Sequence, residues 1–141
     1  AAKIGNDQMW NDRMGNVKER GLNSIVESNM QRWFSPSFHK EHSVDLTGYS
    51  NMFTRTPEDG YLGTAAAIRD TDFQNLASTI KIPTVCVVGD QDGATTPELV
   101  KSTADLIPDA GFEVISNAGH IPCVEQPAAL IKIIRSFMAN I

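Results

Sequence analysis

The residues best suited to chemistry are an acid and a histidine, Asp92 and His120, each of which follows a strand-like segment. Residues 82–89 (Ile-Pro-Thr-Val-Cys-Val-Val-Gly) precede the aspartate, and residues 112–115 (Phe-Glu-Val-Ile) precede the histidine loop. Functional groups gather at the carboxyl ends of strands in open parallel sheets, so we expect the two loops to lie side by side. A carboxylate fixes the tautomer of a neighbouring imidazole and stabilises the imidazolium formed when the ring takes a proton from a nucleophile. The pattern therefore predicts two members of a hydrolytic triad.

Each of these two residues has an alternative interpretation. His120 is also compatible with a polar loop histidine, and Asp92 with a turn aspartate beside a helix. Asp90 is the competing acid, but it directly follows Gly89, which favours a role in shaping the turn. We therefore prefer Asp92 as the partner of the histidine.

The second half of the chain, residues 77–141, has the pattern of a βαβα unit. Thr96, Pro97 and Glu98 are typical of a helix start between the two strands, and Pro127 opens a last helix with apolar positions through Ile141. The run 85–88 is apolar without alternation, which is typical of a strand covered on both faces. Two strands cannot supply that cover, so we expect the rest of the sheet on another polypeptide or on an N-terminal segment outside this sequence.

The first half, residues 1–76, reads as an all-helical domain without a convincing strand. A helix is predicted over 7–20, and a second one stops before Ser35 and Pro36. The apolar stripe of that second helix comprises Leu22, Ile25, Val26, Met30 and Trp33, and a third helix is marked by Leu46, Tyr49 and Phe53. A fourth helix is predicted to start with Thr56 as N-cap and Pro57 at its first position, and to end near Arg69.

Composition excludes several classes of protein. The chain has 12 Lys and Arg against 17 Asp and Glu, a net charge of −5, and the positive residues are scattered, so a nucleic-acid surface is not expected. Hydrophobic residues make up 41% of the chain, and no apolar run approaches the roughly 18 residues of a membrane span. Cys86 and Cys123 are expected to be free thiols in a reducing cytoplasm. The start at Ala1 has no signal pattern, which indicates a processed end or a chain that begins within a longer polypeptide.

Several segments together resemble the 3-oxoadipate enol-lactonases of the α/β-hydrolase family. The segments shared with the whole fold are 82–85 (Ile-Pro-Thr-Val), 89–92 (Gly-Asp-Gln-Asp), 96–98 (Thr-Pro-Glu), 118–120 (Ala-Gly-His) and 124–127 (Val-Glu-Gln-Pro). The segments similar to the helical lid of the lactonases are 1–5 (Ala-Ala-Lys-Ile-Gly), 32–36 (Arg-Trp-Phe-Ser-Pro), 56–61 (Thr-Pro-Glu-Asp-Gly-Tyr) and 67–70 (Ala-Ile-Arg-Asp). The resemblance implies an α/β fold in which residues 1–76 are the lid and residues 77–141 the C-terminal part of an incomplete parallel sheet.

The resemblance also implies an activity that this chain does not complete. The family nucleophile is a serine in a Gly-x-Ser-x-Gly elbow, and no such motif occurs in the sequence. We therefore expect the chain alone to be inactive and its partner to be an N-terminal hydrolase half, cleaved from the same gene product or made as a separate chain. With that half, the implied reaction is hydrolysis of 3-oxoadipate enol-lactone to 3-oxoadipate in the β-ketoadipate pathway of aromatic compound catabolism. Asp92 is then the acid and His120 the base, with no metal and no organic cofactor.

Two residues are candidates for contact with the lactone substrate. Trp33 is a rigid aromatic that can cover a lactone ring, although it also fits the apolar stripe of its own helix. Ile121 follows the histidine and is expected to line the pocket, or else to pack the loop. The substrate carries a carboxylate, so a basic partner is implied, and Arg32, Arg55 and Arg69 remain open.

Other polar residues are not expected to react. Cys123 shares the loop of the histidine and lacks an elbow, and His39 and His42 lack the further ligands that a metal site needs. Alternative functions are another α/β-hydrolase, such as an esterase or a cofactor-free haloperoxidase-like perhydrolase, and a non-catalytic fragment that pairs with a partner through its sheet edge.

Overall fold

The computed structural model describes residues 3–140, which form a group of helices followed by a small parallel sheet with further helices. The helices are α1 (Asp7–Arg20), a 3₁₀ turn (Leu22–Ser24), α2 (Val26–Trp33), α3 (Pro36–Glu41), α4 (Ser43–Thr54), α5 (Glu58–Asp70), α6 (Gln74–Ala77), α7 (Pro97–Ala104), α8 (Pro122–Glu125) and α9 (Pro127–Met138). The strands are β1 (Val85–Gly89) and β2 (Gly111–Ile115). Within the described residues no helix is both long and apolar enough to cross a lipid bilayer.

The helical part has its own apolar core. Helix α1 packs against α5, and α4 packs against both α2 and α3. The buried cluster between them consists of Val17, Leu22, Ile25, Met30, Phe34, Phe38 and Phe53. The predicted stripe on the second helix is therefore the core face of the 3₁₀ turn and α2, since three of its five members are buried in this cluster.

Ser35 and Pro36 were predicted to lie beyond a helix end, and the structure adds that they also begin one. The Ser35 hydroxyl accepts a hydrogen bond from Phe38 N at 3.2 Å, and Pro36 is the first residue of α3. Phe38 thereby enters the core cluster. The sequence pattern identified the stop and missed this short helix, because six residues are too few to show a helical period.

The predicted start of the fourth helix is wrong by one position. Pro57 is the N-cap of α5, and the helix begins at Glu58. Thr56 does not cap it; its N–H donates to the carbonyl of Phe53 at 3.1 Å, and its hydroxyl donates to the carbonyl of Met52. Thr56 therefore completes the end of α4.

The predicted βαβα unit is confirmed. β1 and β2 pair in parallel, with Val85 opposite Gly111 and Gly89 opposite Ile115, and α7 connects them. Thr96 is the N-cap of α7, as predicted, and Pro97 lies at its first position. The strand itself starts at Val85 rather than at Ile82, and α6 spans the predicted boundary between residues 76 and 77.

The sheet is incomplete within residues 3–140, and apolar surface remains uncovered. Val114 of β2 is 45% exposed, and Ile131, Ile134 and Met138 of α9 are 48%, 48% and 60% exposed. These three helix residues belong to the predicted apolar face of the last helix, whose final member, Ile141, lies outside the described residues. Apolar surface of this kind is normally covered by neighbouring strands and helices in an α/β sheet.

Candidate active site

Asp92 and His120 meet at the carboxyl end of the sheet. Nδ1 of His120 lies 2.8 Å from Oδ2 of Asp92, each residue following its strand in the way the sequence predicts. Asp92 is buried, with 6% of its surface exposed, whereas 36% of the His120 side chain is exposed. The carboxylate is thus enclosed by protein while the imidazole reaches an open space.

Four donors hold the Asp92 carboxylate. Oδ1 accepts from the backbone N–H of Ala94 at 2.7 Å and of Thr95 at 2.8 Å, and Oδ2 accepts from the Thr95 hydroxyl at 2.9 Å as well as from His120. Burial raises the pKa of Asp92, but the bonds from His120, Thr95 and Ala94 outweigh it and leave the pKa below its ordinary value. Asp92 is therefore ionised at neutral pH.

An ionised acceptor at Asp92 determines which imidazole nitrogen carries the proton. Because Oδ2 can only accept, Nδ1 of His120 donates, and Nε2 of the neutral ring is left with its lone pair. No hydroxyl or thiol in residues 3–140 is hydrogen-bonded to Nε2; the Thr95 hydroxyl lies 3.3 Å from Nδ1 instead. The pair can accept a proton from a nucleophile, and this part of the chain does not present one.

Asp90 has a different environment from Asp92. Its N–H donates to the carbonyl of Ile115 at 2.9 Å, and its Oδ1 accepts from the N–H of Ala118 at 3.3 Å. The structure thus places Asp90 in the turn, joining the ends of the two strands. Gly89 lies beside this junction, where an added Cβ would stand 2.2 Å from the carbonyl oxygen of Ala118, so the close approach of the loops needs glycine.

Backbone hydrogen bonds attach the end of α2 to both loops of the site. The N–H of His120 donates to the carbonyl of Trp33 at 2.8 Å, and the N–H of Gly93 donates to the carbonyl of Arg32 at 3.1 Å. Two consecutive carbonyls of the helical part therefore fix the position of the acid loop and the histidine loop.

Glu125 of α8 provides a second attachment, which the sequence analysis missed. Its Oε1 accepts from the N–H of Gly119 at 2.7 Å, and its Oε2 accepts from the N–H of Ser35 at 3.0 Å. One carboxylate thus joins the residue before His120 to the start of α3. The segment 124–127 carried a family resemblance but no separate signal for this contact.

A cavity of about 590 Å³ lies between the helices and the two loops. Its wall combines residues of the first half, from Ile4 to Ile68, with Gly93, Ala94, Thr95 and His120. Trp33 is half-buried in this wall, its ring stacked near His120 at 6.3 Å between centroids and edge-on to Phe53 at 5.5 Å. The structure therefore brings Trp33 and His120 to one cavity.

Ile121 is placed differently from the expectation that it lines the pocket. Its side chain packs against the core cluster of the helical part, and it is absent from the described residues that line this cavity. The backbone turns at Ile121 to start α8, which directs the side chain into packing contacts. The alternative stated above, loop packing, agrees with these contacts.

The three candidate arginines differ in whether they line the cavity. Arg69 pairs with Asp70 and Asn11, and Arg55 is exposed at the end of α4 outside the cavity wall. Arg32 lines the cavity and is joined there by Arg13 of α1, which the sequence analysis did not select. A signal for Arg13 existed, because this charged residue lies four positions from both Met9 and Val17, on the same face of α1 as these apolar residues.

The remaining polar residues lie away from the histidine. His39 Nε2 contacts the carbonyl of Met30 at 3.0 Å, and His42 Nδ1 lies 3.3 Å from Asp45. Cys123 is exposed on α8, and Cys86 is half-buried in β1. Within residues 3–140 no cluster of three or more His, Cys, Asp and Glu side chains is arranged to hold a metal ion.

Comparisons with known proteins agree with this architecture. No family model matches the chain. A 3-oxoadipate enol-lactonase from Acinetobacter baylyi is 32% identical over 141 residues, which is 100% of this chain and 53% of the relative. The crystal structure of the enol-lactonase from Burkholderia xenovorans LB400 has a TM-score of 0.92 at 27% identity, over 99% of this chain and 53% of that chain. A thermophilic esterase from Thermogutta terrifontis, with malate bound, has a TM-score of 0.88 at 26% identity, over 99% and 53% of the two chains.

The chain spans about half the length of the curated relatives it matches. Its two-stranded sheet and its helical part correspond to a portion of the larger fold that those proteins form. The chain therefore has part of the α/β-hydrolase fold, and along its whole length it resembles the 3-oxoadipate enol-lactonases.

Proposed function

We propose that this chain supplies the acid, the base and the lid of an enol-lactone hydrolase whose serine nucleophile lies outside the chain. The observation that carries the proposal is the pair of Asp92 and His120, 2.8 Å apart, with His120 at the wall of a cavity beneath the helices. The lactonase relatives support 3-oxoadipate enol-lactone as the substrate, with 3-oxoadipate as the product.

In the proposed mechanism His120 transfers the protons of both the acylation and the deacylation step. The serine oxygen attacks the lactone carbonyl while Nε2 of His120 takes its proton, and backbone N–H groups stabilise the oxyanion. The carbonyl then re-forms as the ring C–O bond breaks, and Nε2 gives its proton to the enolate oxygen, so the acyl-enzyme carries the enol on its acyl chain. Water attacks this ester with its proton passing to Nε2, which returns a proton to the serine, and the released enol tautomerises to the ketone.

Asp92 acts through His120 in each of these steps. Its carboxylate keeps the proton on Nδ1 in the resting ring and stabilises the positive charge of the imidazolium. The lowered pKa of Asp92 suits this role, because the carboxylate stays ionised when the ring is protonated. Trp33 covers the cavity beside the histidine and limits the access of water.

A simple carboxylic ester is the second candidate substrate. The structural similarity to a thermophilic esterase favours it, since that protein has the same architecture at 26% identity. The two candidates differ in charge and ring strain, so parallel assays with the enol-lactone and a neutral aryl acetate separate them.

The test is complementation by a nucleophile-bearing half. The chain is mixed with the part of the Acinetobacter baylyi enzyme that it does not match, and lactone consumption is followed by proton NMR. We expect hydrolysis by the mixture, no hydrolysis by the chain alone, and a loss of roughly 10⁴-fold or more in kcat/KM for His120→Ala.

His42→Ala is the matched control, because His42 is an exposed histidine bonded to Asp45 away from the cavity. Its activity should remain within a factor of about two, as for other surface substitutions. Hydrolysis by the chain alone, or a His120→Ala mixture as active as His42→Ala, would contradict the proposal.

A further inference from the structure

Two guanidinium groups line the cavity without a carboxylate partner among residues 3–140. Arg13 reaches the wall from α1 and Arg32 from α2, and neither takes part in an ion pair within this part of the chain. Both are half-buried. Two positive charges that lie close together and partly buried repel each other. Such a pair is normally stabilised by a nearby anion.

Asn29 is the residue on which the two arginines converge. Its Oδ1 accepts from Nη2 of Arg32 at 2.9 Å and from Nη2 of Arg13. Guanidinium groups only donate, so the oxygen of the Asn29 amide must accept from them, and its NH₂ group needs an acceptor other than the arginines. Asn29 is fully buried, and its Nδ2 has no hydrogen-bond partner in the described residues.

Asn29 is a residue of the cavity wall, and its unpartnered NH₂ group indicates an acceptor that residues 3–140 do not provide. Buried amide groups are satisfied in the great majority of folded proteins, and an exception at a cavity points to a bound group. Burial, and then the charge of Arg13, lower the pKa of Arg32, which indicates that its positive charge is not compensated. Arg13, Arg32 and the NH₂ group of Asn29 thus all offer hydrogen-bond donors, and the two arginines are also cationic.

The end of α2 carries Arg32 and also makes the backbone contacts to the acid loop and the histidine loop. The carbonyl of Arg32 accepts from Gly93 N, and the carbonyl of Trp33 accepts from His120 N. All of these residues line one cavity, whose remaining wall is largely apolar through Ile4, Met9, Trp10, Phe53, Ala65 and Ile68. A ligand that binds the arginines therefore occupies the space that His120 faces.

We propose that Arg13, Arg32 and the Nδ2 group of Asn29 form a carboxylate-binding site that selects substrates with a free carboxylate. The two guanidinium groups bind the carboxylate oxygens, Asn29 donates an additional hydrogen bond, and the apolar wall contacts the carbon chain. The selection of acidic lactones or esters over neutral ones rests on the proposed function, whereas the anion site itself does not.

Binding to the chain itself tests the site without any catalysis. Adipate is titrated against the chain by calorimetry, with dimethyl adipate as the uncharged match, and binding is also followed by fluorescence because Trp10 and Trp33 line the cavity. We expect saturable binding of adipate and none of the diester. Arg13→Gln and Arg32→Gln should each weaken adipate binding by roughly tenfold or more.

Three further variants separate binding from folding. Arg55→Gln is the matched control, since Arg55 is exposed outside the cavity wall, and its affinity should equal that of the wild type. Asn29→Asp places a carboxylate against both arginines, so it should abolish adipate binding while it preserves or raises the melting temperature. Arg32→Lys should retain part of the affinity because the positive charge remains.

The outcomes distinguish this inference from the proposed function. No saturable adipate binding, equal binding of the diester, or unchanged affinity in Arg32→Gln and Asn29→Asp would overturn the anion site. Arginine-dependent binding together with failed complementation would retain the anion site and reject the hydrolase.

Discussion

The attachment made by Glu125 gives a prediction whose size follows from its two contacts. Its carboxylate oxygens accept from the N–H groups of Gly119 and Ser35 at 2.7 and 3.0 Å, and both bonds are partly buried. Glu125→Gln keeps one acceptor oxygen and replaces the other with an NH₂ group. One backbone N–H then loses its acceptor and faces a donor.

The expected cost can be estimated from this exchange. A hydrogen bond to a charged group contributes about 1.5–3 kcal/mol, so Glu125→Gln should lower the free energy of unfolding by about 2 kcal/mol. Glu125→Ala removes both acceptors and should cost about 4 kcal/mol. For a domain of this size the glutamine variant should melt about 7 °C below the wild type.

Urea unfolding followed by tryptophan fluorescence measures these changes, and amide hydrogen exchange locates them. Exchange at Gly119 and Ser35 should accelerate in Glu125→Gln more than exchange within β1. Glu113→Gln is the control, because Glu113 is exposed on β2, and its effect should stay within about 0.5 kcal/mol. If Glu125→Gln and Glu113→Gln unfold at the same urea concentration, the two hydrogen bonds do not hold the loop and the reasoning fails.

Three further changes test the site. In the complemented enzyme Asp92→Asn should lower kcat/KM by roughly 10⁴-fold, while Asp90→Asn, which can still accept from the loop backbone, should stay within about tenfold; the reverse ranking in the lactone assay would make Asp90 the acid. Because the folded-state pKa of Asp92 is lowered, its contribution to stability is present above about pH 4 and is lost as pH falls through the lowered value. Urea titrations between pH 2 and 7 should therefore show a weaker acid dependence in Asp92→Asn, and an unchanged dependence would reject this assignment. Gly119→Ala places a Cβ 2.4 Å from the Trp33 carbonyl oxygen, so it should destabilise the chain by about 1–3 kcal/mol in thermal unfolding, and a neutral effect would contradict the close packing.

The acid and histidine pairing could be predicted because it depends on topology. Parallel strands place their carboxyl ends at one edge, so the two loops are neighbours when the two strands pair directly, as β1 and β2 do. The choice of Asp92 over Asp90 needed only the reasoning that a residue directly after Gly89 shapes the turn, and the contacts of Asp90 with Ala118 and Ile115 fit that reasoning.

The starts of α5 and α7 show that a local sequence motif is not sufficient to identify a helix cap. The Thr-Pro pair at 96–97 caps α7, whereas the same pair at 56–57 does not cap α5. The difference lies in the preceding residues, because α4 ends immediately before Thr56 and uses its N–H and hydroxyl. The Thr56 hydroxyl is directed to the Met52 carbonyl at the end of α4, and sequence alone does not show which of two adjacent helices a threonine contacts.

The residues missed by the sequence analysis act through long-range contacts. Arg13 bonds Asn29 and Tyr61, which lie on two other helices, and Glu125 bonds Ser35 from ninety positions away. No periodic pattern encodes such pairs, since each depends on how separate elements pack. The packing of Ile121 against the core cluster of the helical part has the same origin, because it depends on how the turn into α8 meets those helices.

The attachment of α2 to both loops uses carbonyl groups alone. The side chains of Arg32 and Trp33 take no part in the bonds to Gly93 and His120. Substitutions at these two positions can therefore change what the cavity recognises while the alignment of the acid and the histidine is preserved. Specificity and catalytic alignment are thus separable by mutation at the end of α2, and this makes positions 32 and 33 suitable for redesigning the substrate range.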